Sequence, residues 1–305
     1  MNGFINLLKP SGMSSSDAVA VARKLTGEKK LGHSGTLDPL AAGVLPLCLG
    51  RATKLFDHLM EKDKEYLAEL TLGFETDTQD ADGEVIARGD PLGIGSEQIE
   101  AKLPSFRGRI RQQPPMYSAL VRDGTKLYKL ARAGQTVERE HRDIDIHALE
   151  IVEQTGPASY LLRVACSKGT YVRTLMADIG RSLGCYGCMT FLLRTASGRF
   201  ALGDTVSIEE LAELSQAGRV AEALLPMDYP LEHLPRFDCP VFRGRHLLNG
   251  LPQSCPLPPA DLVRVYVGGV FTGLGTAYAD ETGRSVIRMK TTLLEWSQLP
   301  HENLE

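Results

Sequence analysis

A chain of 305 residues is longer than one compact core usually serves, so one large domain with a smaller one, or two comparable domains, is expected. With 43% hydrophobic and 24% charged residues the composition is neither that of a disordered chain nor that of a membrane protein, and no apolar run approaches the roughly 20 residues that span a bilayer. The formal net charge of −4 argues against indiscriminate electrostatic affinity for nucleic acid, and the opening MNGFINLLKP lacks a basic leader before a cleavable apolar stretch, so a cytoplasmic protein is expected.

In chain order, Phe4 to Leu8 reads as a short strand, Lys9-Pro10-Ser11-Gly12 as a turn, and Ser14-Ser15-Ser16 as N-caps for a helix carrying Val19, Ala22 and Leu25. The stretch GHSGTLDPLAAGVLPLCLG (32–50) then places His33, Ser34, Thr36 and Asp38 among turn residues ahead of an apolar run, the build of a reactive loop on a rigid scaffold or of a plain turn. YLAELTLG (66–73) alternates like a half-buried strand. The acidic TDTQDADGE that follows has part of a calcium-loop spacing at Asp80, Asp82 and Gly83, but Thr78 stands at the first ligand position and no closing Glu follows, so a surface turn is expected. Ser96 is expected to cap a short helix to Leu103.

Between Ser105 and Arg142 nine basic residues, among them Arg122, Lys126, Lys129 and Arg132, face three acidic ones, with Tyr117 and Tyr128 interleaved. Cations for phosphates and aromatic faces for bases suit an RNA-contacting surface, though a solvated charged face reads the same way. The segment includes a short helix from Lys126 to Ala133 stopped by Gly134. Tyr160 to Cys166 is a strand. Thr170 to Gly184 then shows the i, i+3, i+4, i+7 stripe of an amphipathic helix, with Arg173 in the first turn where a cation is mildly disfavoured. Either Arg173 extends to solvent or an anion is held beside it. Ser207-x-x-Glu210 is a capping box opening one more helix. Beyond about Leu234 proline-rich connection and short strands read as a small all-β module.

Six cysteines, at 48, 166, 185, 188, 239 and 255, lie mostly in apolar contexts and fit reduced, buried thiols better than disulfides; the lone Cys185-x-x-Cys188 pair lacks the second pair a zinc site needs. Neither a metal nor another cofactor is expected. A serine-hydrolase elbow at Ser34 fails because Thr36 stands where the motif needs Gly. Asp38, followed by Pro39, is either a turn residue bonded to its own backbone or the carboxylate that answers Arg173, kept ionised as a nucleophile or base.

KPSGMSSSDAV (9–19), GHSGTLDPLAAGVLPLCLGRATK (32–54), KEYLAELTLGFETDTQDADGE (64–84), QQPPMYSALVRDGTKLYKLARAG (112–134) and CSKGTYVRTLMADIGRSLG (166–184) resemble, in order, the motifs of the bacterial TruB family, tRNA pseudouridine synthases acting on uridine 55 of the T-arm. The resemblance runs through about residues 4–230 and implies an α+β fold: a mixed, mostly antiparallel sheet flanked by helices over 1–234, and a small PUA-like RNA-binding module over 235–305. It makes Asp38 the catalytic carboxylate and Arg173 its partner, which would hold the Asp38 pKa down. Tyr66 would stack on the target base and assist loss of the C5 proton. His33 would fill space near the extruded nucleotide, and Leu192 would close the pocket, although core packing accounts for a Leu there equally well. Lys9, Lys168 and Tyr171 join the substrate-binding set, and 105–142 resembles an RNA-clamping insertion whose Arg122, Lys126, Lys129 and Arg132 would hold tRNA. The implied partner is the T-arm of tRNA. No membrane or protein partner is evident.

Overall fold

The computed structural model describes residues 1–60, 63–122 and 124–299; Asp123 of the basic insertion and the last six residues of the C-terminal module lie outside the described residues. Strand β1 (Gly3–Lys9) leads into helix α1 (Ser15–Thr26). The Ser14 hydroxyl accepts from Asp17 N–H at 3.1 Å and the Asp17 carboxylate accepts from Ser14 N–H at 3.3 Å, so both otherwise orphaned donors at this helix start are satisfied. After β2 (Leu31–His33) and β3 (Ala42–Leu49) come α2 (Phe56–Met60) and β4 (Lys64–Leu72), which alternates buried and half-buried residues as the period of two requires. The acidic loop hangs from a hairpin of β5 (Phe74–Thr76) and β6 (Val85–Arg88).

Helix α3 (Ser96–Lys102) begins at Ser96 but is not capped by it: Gly95 holds the cap position and donates its N–H to the Gln98 side chain at 2.9 Å. The basic 105–142 segment includes β7 (Gly108–Gln112), which belongs to the main sheet, and beyond it the described residues up to position 141 hold only β8 (Val121–Arg122), β9 (Thr125–Lys126) and α4 (Leu127–Arg132). The hairpin β10 (Arg142–Gly156) and β11 (Ser159–Cys166) follows, then α5 (Val172–Ser182), β12 (Gly187–Ser197), β13 (Phe200–Ala201) and α6 (Ile208–Gln216). Ser207 and Glu210 form the second capping box as expected. The last part contains β14 (Arg236–Cys239), α7 (Val241–Leu248), β15 (Gln253–Ser254), β16 (Ala260–Val267), β17 (Val270–Ala279) and β18 (Ser285–Thr292). Among the described residues no helix is long and apolar enough to cross a membrane.

Among the described residues the main sheet has nine strands in the order β1-β3-β12-β4-β11-β10-β7, with β2 joined to β3 and β13 to β12. Every pairing is antiparallel except β3 with β12, where Leu193 faces Ala42 and Arg194 faces Gly43. Gly43 has φ +112°, and a Cβ there would lie 2.2 Å from the Arg194 carbonyl oxygen, so only glycine lets these strands meet. On the other side of β12, Arg194 pairs with Tyr66 of β4. These two registers place the Asp38 loop, Arg194 and Tyr66 side by side.

Helix α5 buries Val172, Leu175, Met176 and Ile179 against the sheet, each such side chain contributing about 1.5–3 kcal/mol of transfer free energy. The second sheet, ordered β14-β16-β17-β18-β15, has its own core around Leu247, Val263, Val265 and Ile287. A third apolar cluster joins Phe4, Val44, Leu55 and Phe200 of the main sheet's side to Tyr266, Phe271 and Leu274 of the second sheet. The fold is thus the expected α+β arrangement with a small C-terminal module docked through apolar contact; that module is built on a five-stranded sheet but is not all-β as expected, because helix α7 packs Leu247 into its core.

Candidate active site

The loop ahead of β3 is fastened at several points. Ser15, the first residue of α1, donates its hydroxyl to the Leu37 carbonyl at 2.9 Å and accepts from Leu37 N–H at 2.8 Å. Gly12 N–H donates to the Pro39 carbonyl and Ser34 N–H to that of Pro46. From β12 the buried Arg194 donates through Nε to the Val44 carbonyl at 2.7 Å and through Nη2 to that of Gly35 at 3.1 Å, with Nη1 3.5 Å from that of Thr36. The turn residues thus shape a loop whose main chain is held from two sides, leaving the Asp38 side chain to face α5.

There it meets Arg173. Nε of Arg173 lies 3.0 Å from Asp38 Oδ2, but its hydrogen is not aligned on a partner, so this is a close ion contact rather than a formed hydrogen bond. Nη1 donates to the Thr78 carbonyl at 2.9 Å and lies 3.3 Å from Asp80 Oδ2, while Nη2 donates to the Tyr117 carbonyl at 2.8 Å. Arg173 is 4% exposed, so the expected alternative of an arginine reaching solvent does not hold; two carboxylates answer the awkward cation. The acidic loop is likewise more than a surface turn. Asp80 is 5% exposed, and its Oδ1 accepts from the Thr78 hydroxyl and Asp82 N–H while its other oxygen serves Arg173. Thr174 donates to the Gln79 side chain at 2.7 Å, tying the same loop to α5.

The electrostatic balance at Asp38 runs opposite to expectation. Protein walls on most sides desolvate the carboxylate and push its pKa up, outweighing the lowering by Arg173, and the nearby Asp80 adds to the rise. The side chain still keeps 38% of its surface open toward the cleft, so the group is reachable.

That cleft, of about 250 Å³, is lined by Asp38, Tyr66, Leu192, Arg194, Lys168 and Tyr171. Its volume falls below the roughly 300–1,000 Å³ of drug-sized ligand sites, a scale that suits a single base. A larger, shallow depression of about 450 Å³ beside α6 carries Glu210, Glu213 and Arg219 but no comparable convergence of groups. Tyr66 is 9% exposed, and burial raises its phenol pKa against the lowering influence of Arg194. Leu192 forms part of the wall at 5% exposure. Tyr171, just before α5, is bracketed by the buried Gln112 side chain, which accepts from its N–H at 2.8 Å and donates to its carbonyl at 3.0 Å.

Other residues anticipated from sequence lie apart from the lining. His33, on β2, is half-buried with Nδ1 unpartnered, and burial with the nearby Arg194 lowers its pKa. Lys9 is turned inward at 0% exposure, donating to the Pro10 and Met13 carbonyls at 2.7 and 2.6 Å; burial lowers its pKa to about 8 while Asp38 pulls it up. Arg122 donates to the Glu138 carbonyl within the basic segment. Lys126 and Arg132 flank the Tyr128 ring at 6.0 and 5.6 Å from its centroid, and Lys129 is exposed. Ser34 is 2% exposed, which leaves it no access to a hydrolase substrate. All six cysteines are buried and free, and burial raises the Cys188 thiol to about 11.

Sequence reasoning missed Asp80, Gln112 and Arg194. The one signal for Arg194 is a cation inside the apolar run of a strand, TFLLR, where a buried charge needs partners.

Residues 23–172 match the TruB family pseudouridylate synthase (N terminal domain), and residues 173–232 the tRNA pseudouridylate synthase B C-terminal domain. The chain is 45% identical over 302 residues to tRNA pseudouridine synthase B of Alkaliphilus oremlandii, covering 97% of this chain and 99% of that one. To tRNA pseudouridine synthase B of Stutzerimonas stutzeri it is 47% identical over 285 residues, 92% of this chain and 93% of the other. Among solved structures it resembles a chain of a Cbf5-Nop10-Gar1 complex with TM-score 0.74 at 26% identity, over 98% of this chain and 87% of that chain. A chain of an H/ACA RNP bound to a substrate RNA containing 2'-deoxyuridine shares the fold with TM-score 0.74 at 24% identity, over 99% and 88% of the two chains.

Proposed function

The chain belongs to the TruB family of pseudouridylate synthases and isomerises uridine to pseudouridine in tRNA, and on that premise we propose that its target is uridine 55 of the T-loop and that Asp38 is the reacting carboxylate. The reaction breaks the N1–C1′ bond, turns the uracil, joins C5 to C1′, and exchanges the C5 proton for one on N1, so it is balanced without a redox partner. Addition of Asp38 to the uracil ring, attack at C1′, and removal of the C2′ proton each begin from the ionised carboxylate. The observation that carries the reading is the 3.0 Å contact of Asp38 with a buried arginine at the wall of a cleft of base size.

In this reading the target nucleotide leaves its stack, and its base enters against Tyr66 with Leu192 closing the far side. Tyr66 also assists loss of the C5 proton. Lys168 and Tyr171 contact the flipped nucleotide at the cleft mouth, and His33 fills space near it. Lys9 acts from within as a cation near Asp38. Segment 105–142 clamps the T-arm through Arg122, Lys126, Lys129 and Arg132, with phosphate contacts setting position and loop shape setting specificity. The division falls between residues 234 and 235, the C-terminal PUA-like module adding RNA surface.

The test is an unmodified tRNA transcript labelled with tritium at uridine C5. Wild-type protein should release tritium and leave pseudouridine at position 55; Asp38→Asn should bind the transcript and release none. Product at another uridine, or a fully active Asn variant, would refute the corresponding part of the reading.

A further inference from the structure

We propose that Arg194 is a positioning residue for this chemistry, a buried guanidinium that fixes the Asp38 loop relative to Tyr66 by gripping the loop's main-chain carbonyls. The inference rests on the reading of Asp38 as the reacting carboxylate.

Arg194 is 1% exposed and heads the fully buried side chains by size. A cation so far from water is costly unless its donors are used, and here carbonyl oxygens use them. Two of these, Gly35 and Thr36, lie just before Asp38 in the chain, and the third, Val44, lies after it. One planar group therefore holds both limbs of the loop. A flexible ammonium could not reproduce that fork.

The same side chain starts from the β12 position that faces Gly43 of β3 and Tyr66 of β4. The close approach at Gly43 brings the Arg194 backbone under the loop, and the pairing with Tyr66 places it beside the expected stacking ring. The distance between ring and carboxylate is thus set through a single residue. Being buried, Arg194 cannot reach an RNA phosphate, so its loss should act on turnover at saturating tRNA and leave binding alone.

The experiment compares full-length Arg194→Lys and Arg194→Met with Asp38→Asn, measuring single-turnover rate, tRNA Kd, melting temperature and the pH profile. The Met variant should lose on the order of 100-fold in rate, the scale of a 1 Å misplacement, and the Lys variant at least about tenfold, each with Kd within about threefold of wild type. In the Lys variant the acid limb should also move to higher pH, because a loosened loop draws Asp38 away from Arg173; a merely structural loss would scale the profile down without moving it. If the Met variant does not fold, the Lys variant carries the test. A folded Lys variant with wild-type turnover, or one whose whole loss lies in Kd, overturns the inference. If Asp38→Asn is inert while the Arg194 variants turn over normally, this inference alone fails; if Asp38→Asn is active, the reading beneath it fails.

Discussion

The floor of the cleft and the basic segment above it are built on opposite principles. Tyr66, Leu192 and Arg194 project from neighbouring strands of a nine-stranded sheet and Arg173 from a packed helix, at 9%, 5%, 1% and 4% exposure. From residue 119 to 141, by contrast, Leu127 is the one buried residue among those described, and the regular structure amounts to two two-residue strands and a six-residue helix. So short a helix is unstable without packing partners. The groups expected to do chemistry thus sit where geometry is dictated, and those expected to meet RNA sit where it is cheap to change. Substitutions in the floor should act on turnover, and substitutions above it on affinity.

The largest expected effect is at Asp38. Asp38→Asn should lower single-turnover rate on the order of 10⁴-fold, the scale of removing an essential group, with tRNA Kd unchanged. It should not destabilise the protein. The folded pKa of Asp38 lies above the unfolded value, so its stabilising contribution is fully present below the unfolded pKa and is lost as pH rises through the folded one. At neutral pH the charge is a liability, and the Asn variant should melt no lower than wild type by calorimetry. The same shift predicts that the acid limb of kcat/KM in the wild type falls above the ordinary carboxylate value of about 3.9. A limb at or below that value would mean that Arg173, not desolvation, dominates the site.

Arg173→Met comes next. It leaves Asp38 and the buried Asp80 facing each other without their shared cation and strips donors from the Thr78 and Tyr117 carbonyls. Removing one partner from a buried ion pair costs about 3–5 kcal/mol, which urea unfolding would register alongside loss of turnover. Because the Tyr117 bond belongs to the basic segment, this variant should also weaken tRNA binding, the one floor substitution that crosses the division.

What could be read from sequence follows from which contacts are local. The Ser14–Asp17 and Ser207–Glu210 capping boxes, the alternation of β4 and the apolar stripe of α5 are each written within a few residues. Asp38 and Arg173 were legible as an oddity each, a carboxylate in a loop and a cation at a helix start. The parallel pairing of β3 with β12 is not local, and with it went Arg194, whose role exists only once Gly43 and Tyr66 flank it. Asp80 looked like turn chemistry because nothing nearby in sequence shows that α5 covers it. The direction of the Asp38 shift was missed for a related reason: a charged partner can be guessed from a motif, while desolvation is a property of the packed walls. At Ser96 a residue with cap chemistry is the first helical residue instead, and the cap is Gly95, whose N–H donates to the Gln98 side chain.

The smallest expected effect lies in the basic segment and decides whether the division is real. A triple Lys126→Ala, Lys129→Ala, Arg132→Ala variant removes exposed cations around Tyr128 without touching a buried side chain. KM for tRNA should rise on the order of tenfold at low salt while kcat stays within about twofold, since released counterions and not chemistry are what these groups supply. The salt dependence of log Kd should flatten by about one unit for each phosphate the variant no longer neutralises. A fall in kcat with an unchanged salt slope would place these cations in the turnover machinery. The loose segment and the rigid floor would then have to be treated as one device, joined through the Tyr117 carbonyl on Arg173.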